Sequence, residues 1–420
     1  MDKSHNHIIS LLLFSIVFIT CPIITLPVVI KGMLKKKRWA FVMFAIIMGL
    51  VGYLWPPYGD MYRYALDLYN MKGMDWQTFQ LFMLLRFDIF LPYLSYWMAN
   101  VGGSFDIIKF IFNAIGYLLI ADVLRMVVQY NHIYASKKYY ICAFLVIIPF
   151  SLNGYLFRSG LGVVILLNGL IRWFYFKQKK GILICILSAL VHVSNVLFAF
   201  FLLLPKLNIF RFRPKVVLMI FVLSLFMGFG GIAEFIINLI PIPDNMISHI
   251  YQYIDGSQSG SVTKGFSFLQ LIVQMSRNIL DYIWFYLYWK LYKKYSGKLP
   301  MMEYVNITLL FLLLISSFPW IYTRYFGATM NIVKIIVLLN LSVYLLNLVR
   351  FKLICYITML FVCIGIYENR FCLTIGNEPK LLSSSLYGIL NTEYTESWIV
   401  DNLNKKGDFY ERIRQYGEPE

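Results

Sequence analysis

The chain has 420 residues, of which 60% are hydrophobic and only 14% charged. A soluble domain averages about 25% charged residues, so this composition excludes a water-soluble globule and makes the bilayer the solvent. The formal charge of +17 does not point to a nucleic-acid partner, because of where the charges lie. Lys and Arg occur in short clusters between apolar runs: Lys31 with Lys35–Arg38, Lys137–Lys138, Lys177–Lys180, Lys206–Lys215 and Lys290–Lys298. The positive-inside rule produces such spacing, and anionic membrane lipids are a sufficient partner.

The first apolar run, about 8–30, outlasts the roughly 7–15 residues of a signal h-region and carries Pro22 and Pro27 without a small-residue cleavage site. It is expected to be a span. With Lys31–Arg38 in the cytoplasm, a second span at about 39–55 runs outward and delivers Trp55–Trp76 to the external face. Pro56, Pro57 and Gly59 break helix there, and the Trp and Tyr residues suit the membrane interface. Residues 78–100 are apolar but contain Arg86, Asp88 and Pro92. A full crossing at this point would expose Lys137–Lys138 and Lys177–Lys180 outside, so an amphipathic or re-entrant segment is expected.

Spans at about 105–129, 139–157 and 160–176 follow, with the junction Gly154–Gly160 and its Arg158 outside. Basic clusters flank both ends of 181–204. A helix that dips in and returns, bending at His192-Val193-Ser194-Asn195, keeps both clusters inside; a single crossing with an external cluster is the alternative. Further spans fit at about 215–240, 269–290, 301–321, 325–347 and 351–367. The fold class is all-α, a polytopic membrane helix bundle of about ten crossings plus two partial ones. Residues 1–367 form its transmembrane helical domain, with external loops 56–77 and 241–268, and 368–420 form a polar tail or small cap. No internal repeat is evident.

Charges near a span each require a reason, because an isolated one costs about 2.5–3.5 kcal/mol on insertion scales. Asp60, Arg63 and Asp67 recur at helical spacing on one face. They make either a solvated interfacial helix or a carboxylate facing an external cleft, its ionisation tuned by Arg63. Arg158 either snorkels to the headgroups or grips a phosphate with its planar fork. Arg324 occupies an analogous position in Pro319-Trp320-Ile321-Tyr322-Thr323-Arg324-Tyr325, and the two arginines reach the same face, as an anion site would require. His192 is either a packing residue or a proton-transfer group whose tautomer Ser194 and Asn195 hold. Arg277 and Asp281 lie one turn apart and are expected to neutralise each other, and Lys334 to join the polar cavity of Arg324. The six cysteines show neither CxxC nor metal-type spacing, and there is no P-loop or GxSxG motif. No cofactor and no metal is expected.

Tyr58-Gly59-Asp60-x-Tyr62-x-Tyr64, then Phe157-Arg158-Ser159-Gly160-Leu161-Gly162, then Leu190-Val191-His192-Val193-Ser194 resemble, in that order, motifs of the EpsG-like and Wzy-type (O-antigen) polysaccharide polymerases. The resemblance covers roughly residues 1–205, with Tyr322-Thr323-Arg324-Tyr325 similar to a late arginine motif. Ser159 and Gly160–Gly162 stand where members often show Gln and Ala. The resemblance implies a bacterial inner-membrane glycosyltransferase, with no nucleic-acid partner, that joins undecaprenyl-pyrophosphate-linked oligosaccharide units at the periplasmic face, with a chain-length regulator as a further partner. It implies Asp60 as base with His192 second, Arg158 and Arg324 on the pyrophosphate, and Arg63, Tyr62, Tyr64, Tyr322 and Ser194 at the substrate. A flippase for the same lipid-linked units and an O-antigen ligase are the competing readings.

Overall fold

Helix is the one open structure whose backbone satisfies its own hydrogen bonds in an apolar solvent. The computed structural model describes residues 12–84, 86, 89–130, 157–207, 209–225, 268–316, 319–340, 353, 356–360, 363–364 and 384–404. Every regular element among these residues is helical. The prolines interrupt the first apolar run: a helix covers 12–20, Cys21 is extended, a 3-10 turn spans Pro22–Thr25, and α1 spans Leu26–Leu34. There follow α2 (Arg38–Leu54), α3 (Asp60–Asn70), α4 (Trp76–Leu84), α5 (Phe90–Asn100) and α6 (Phe105–Tyr130). Then come α7 (Phe157–Phe174), α8 (Lys180–Val191), α9 (Asn195–Phe200) and α10 (Pro214–Leu225). The series ends with α11 (Phe268–Tyr295), α12 (Met302–Leu314), α13 (Pro319–Leu339), α14 (Leu386–Leu390) and α15 (Glu396–Asn402).

Among the described residues α6 alone is long and apolar enough to cross a bilayer by itself, while α2, α8, α10 and α12 are shorter apolar helices. The described helices therefore do not establish ten crossings. Residues 139–156, 226–240 and 341–347 of expected spans, 241–267 of the expected loop and most of 351–367 lie outside the described residues.

Small residues set the closest helix contacts, as they do where no hydrophobic effect drives association. On α2, a Cβ at Gly52 would lie 2.2 Å from Asn113 Nδ2, and one at Gly49 would lie 2.9 Å from Phe110. With Phe44 edge-on to Tyr117, these contacts make α2 and α6 antiparallel. Between α7 and α8 the backbones themselves touch: a Cβ on Gly169 would meet Gly181 O at 2.7 Å, and one on Gly181 would meet Gly169 O at 2.6 Å. Gly162 faces His192 and Asn195, so α8 runs back along α7. Gly116 faces Leu161, and Asp122 accepts from Asn168 (2.9 Å) and pairs with Arg172. Hence α6 and α7 run in the same direction.

These directions gather the basic clusters at one end. Tyr130 packs edge-on against Tyr175 at 4.9 Å, Tyr175 donates to Pro300 O at 3.2 Å, and Asn340 donates to Tyr175 at 2.8 Å. The ends of α6, α7 and α13 and the start of α12 therefore meet. Arg211 pairs with Glu303 at 2.5 Å, and Tyr292 donates to Phe212 O at 2.8 Å, which brings the 209–213 segment and the end of α11 to the same place. At the other end lie the α2 C-terminus, α3, and the starts of α6, α7 and α13.

Two segments turn back on themselves. In 76–100, Phe79 of α4 stacks on Tyr96 of α5 at 4.2 Å and meets Tyr93 edge-on at 5.1 Å. The pair forms an antiparallel hairpin of short helices, with Arg86 between them. In 181–213, α8 ends at Val191, His192 is extended (φ −146, ψ 115), and α9 restarts at Asn195. The chain then returns to the basic end by residue 211, so the break falls at the bend expected from His192-Val193-Ser194-Asn195.

Candidate functional site

The end opposite the basic clusters holds most of the polar motif residues. Gly59 has φ +65, a left-handed conformation that glycine takes without steric cost. It lets the chain leave Pro56–Pro57 and start α3 at Asp60. Asp60 thus occupies the first turn of a helix, where the macrodipole favours a carboxylate; its side chain lies outside the described residues. Tyr62 and Tyr64 are half-buried and Arg63 is exposed.

Arg63 is not the residue that hydrogen-bonds the carboxylate expected to share its face. Asp67 accepts from Arg86 at 2.8 Å. Burial pushes the Asp67 carboxyl above the usual range, opposed by Arg86 and, more weakly, Arg63. Long-range pairing between α3 and the tip of the α4–α5 hairpin prevails over local helical spacing.

Arg158 stands in the first turn of α7, and residues 154–156 of the expected junction lie outside the described residues. Its guanidinium carbon lies 5.0 Å from the centroid of the Tyr64 ring, within range of a cation–π contact. One turn further on, Gly162 brings α7 against the α8–α9 break. A Cβ there would lie 2.6 Å from Asn195 Nδ2 and 3.1 Å from His192 Cβ, so glycine is the residue that permits this approach. The glycine at 162, where the family often shows a larger residue, thus has a packing reason. His192 is buried, its N–H donates to Ser188 O at 3.0 Å, and its carbonyl accepts from Asn195 N at 2.9 Å. Asn195 Nδ2 donates to Ser188 O at 3.3 Å and so bridges the break.

Ser194 supplies its carbonyl rather than its hydroxyl to the described network: Tyr325 donates to it at 2.9 Å. That bond fixes α13 against the break and brings the neighbouring Arg324, which is exposed, to this end. Both Tyr322 and Arg324 lie within α13, which Pro319 opens, because proline suits the first position of a helix. The expected loop between spans is absent here. Tyr322 is buried and stacks on Phe326 at 5.5 Å, since two positions on a helix face nearly opposite ways. The structure thus places Tyr322 in the core, apart from the exposed Arg324. Lys334 pairs with Asp281 at 2.5 Å instead of standing beside Arg324. The side chain of Arg277 lies outside the described residues.

Sequence reasoning passed over Asp106 and Lys109, which form a pair at 2.7 Å with side chains only 2% and 1% exposed. Lys109 donates to Tyr53 O at 3.1 Å and to Trp55 O, closing the C-terminal end of α2 directly before the Pro-Pro turn. The signal was there, as opposite charges at i and i+3 inside an apolar run. Tyr325 was also missed as an organising group. Among the described residues no group of three or more His, Cys, Asp or Glu residues is suited to a metal ion.

At one end of the bundle, then, a guanidinium over an aromatic face lies one helical turn from the glycine on which a helix break with a buried imidazole rests, and a second arginine is tied in through Tyr325. Such a surface can bind an anion and present ring faces to a sugar. No curated protein and no solved structure matches the chain. Residues 37–372 match the EpsG family, a stretch that contains α3, α7, the α8–α9 break and α13. On that match the chain belongs to the EpsG family, and so to membrane-associated proteins of polysaccharide-polymerase type.

Proposed function

We propose that this end is the external, periplasmic catalytic face of an O-antigen-type polysaccharide polymerase in a bacterial inner membrane. Its substrates are undecaprenyl-pyrophosphate-linked oligosaccharide repeat units. The basic clusters at the opposite end support the orientation, and the short hairpins support partial crossings covered by neighbouring helices. The observation that carries the reading is Arg158 over Tyr64, one turn from the Gly162–His192 contact.

In the proposed reaction a hydroxyl of one lipid-linked unit attacks the anomeric carbon of the growing glycan. A new C–O bond forms as the bond from that carbon to the pyrophosphate breaks. The hydroxyl proton passes to Asp60, the first choice of base, or to His192. Arg158 and Arg324 stabilise the charge that develops on the departing pyrophosphate, and Tyr62, Tyr64 and Arg63 hold sugar and phosphate. Ser194 acts through its carbonyl bond to Tyr325, and Tyr322 supports α13 from within the core.

A lipopolysaccharide gel from a deletion strain tests the function. The expected result is lipid A–core carrying a single repeat and no ladder. Complete absence of repeats sinks the polymerase reading in favour of a flippase or ligase.

A further inference from the structure

Residues 384–404 form a compact segment that lies against the same end as the candidate site. Its two short helices are capped by their own sequence: Ser385 accepts from Gly388 N at 3.1 Å and Thr395 from Trp398 N at 3.2 Å. Between them Tyr394 touches three elements at once. Its N–H donates to Asp106 Oδ2 of α6 at 3.0 Å, and its hydroxyl donates to Leu54 O at the end of α2 at 2.6 Å. Its carbonyl accepts from the Tyr69 hydroxyl of α3 at 2.7 Å. Lys109, already paired with Asp106, lies over its ring at 4.7 Å. A further bond runs from Tyr53 to Leu390 O at 2.9 Å, and Ile399 and Leu403 are buried in one apolar cluster with Tyr58, Met61 and Ala65.

The placement matters because α3 is an eleven-residue helix hung between a Pro-Pro turn and the α4–α5 hairpin. A helix this short is marginal in water on its own. Its orientation over Arg158 must therefore be set by what it packs against. Tyr394 holds the last turn of α3 through Tyr69, while Tyr64 on the same helix meets Arg158.

We propose that 384–404 is a latch on the external side and that Tyr394 is a positioning residue, fixing α3 relative to α2, α6 and Arg158. The positioning role rests on the polymerase reading above; the sidedness of the latch does not.

Sidedness is tested in intact cells with a membrane-impermeant maleimide on single-cysteine variants of a cysteine-free chain. Tyr387, which is 77% exposed, is compared as Tyr387→Cys with Lys72→Cys beside α3 and Lys179→Cys at the basic end. Labelling of Tyr387→Cys together with Lys72→Cys, and not with Lys179→Cys, is expected. Labelling that follows Lys179→Cys overturns the latch. Hydrogen exchange on the purified protein provides the second measurement: Tyr394→Ala speeds exchange in 60–70 at least tenfold, while 162–172 is unchanged. Equal rates in both proteins overturn the proposal.

Positioning is read from kinetics with lipid-linked units. Tyr394→Ala, which removes the ring and its hydroxyl bond to Leu54 O, lowers kcat about tenfold with KM within twofold, and Tyr394→Phe, which restores the ring, recovers most of it. Unchanged kcat in folded Tyr394→Ala overturns the positioning role. A wild-type protein that makes no polymer from such units overturns the polymerase reading and with it the positioning role, while labelling and exchange still decide the latch.

Discussion

Gly162 allows the sharpest test of the site, because the perturbation is a single methyl group. A Cβ at this position would lie 2.6 Å from Asn195 Nδ2, 3.1 Å from His192 Cβ and 3.5 Å from Ser188 O. To reach ordinary van der Waals contact Asn195 must withdraw by about 0.8 Å, in an interior packed as densely as an organic crystal. Overpacking of this kind costs about 1–3 kcal/mol, of which the better helix propensity of alanine returns about 1 kcal/mol. Gly162→Ala should therefore lower stability by at most about 2 kcal/mol, which leaves a folded, inserted protein. Function should suffer far more, since a misplacement near 1 Å can cost about 100-fold in rate. Gly116→Ala is the control, for its Cβ would meet only Leu161 at 3.8 Å. The assay is ladder formation alongside thermal unfolding in detergent. Full ladder with Gly162→Ala, or equal damage from Gly116→Ala, refutes the inference that this contact sets the geometry of the break.

Arg158→Ala should abolish the ladder while the protein still inserts, and Arg158→Lys should restore it only weakly, since an ammonium lacks the planar fork; a normal ladder removes Arg158 from the site. Lys109→Ala should cost about 3–5 kcal/mol by stranding the buried Asp106 carboxylate, and adding Asp106→Asn should recover part of that loss in the same unfolding assay. Arg86→Ala should lift the raised Asp67 carboxyl further, since Arg86 is the larger of the two opposing charges. A carboxyl raised in the folded state loses stability as pH climbs from its unfolded value through its folded one. The variant should therefore lose stability at pH 7.5 relative to wild type and little at pH 4, by no more than about 1 kcal/mol for a pair whose arginine is 36% exposed. Gly181→Ala, whose Cβ would strike Gly169 O at 2.6 Å, should destabilise more than Gly162→Ala because backbone yields less than a side chain.

What could be read in advance was whatever periodicity and charge placement encode. The basic clusters at Lys35–Arg38, Lys177–Lys180 and Arg211–Lys215 announce a common end because lipid headgroups act on any such cluster, wherever it falls in the chain. The three polar residues His192, Ser194 and Asn195 announce a break because apolar surroundings leave them few helical neighbours to pair with. Asp67 was harder: its partner, Arg86, is nineteen positions away in sequence, and only the α4–α5 hairpin brings them together. The phase of α13 was not legible either: a helix beginning at Pro319 turns Tyr322 inward and Arg324 outward. Asp106 and Lys109 escaped because they cancel each other within an apolar run and so leave composition unmarked.

The returning segment has a consequence for how the chain is seated in the bilayer. Neither α8, with 12 residues, nor α9, with 6, approaches the roughly 20 residues that a crossing helix requires. The expectation that the chain returns between Lys179 and Arg213 predicts that tags placed at the two ends of this stretch report the same compartment. Its polar bend is covered where it packs against Gly162 of α7. Helices α7 and α8 therefore settle as a pair, and the close approach at Gly162 sets how deeply the bend is seated.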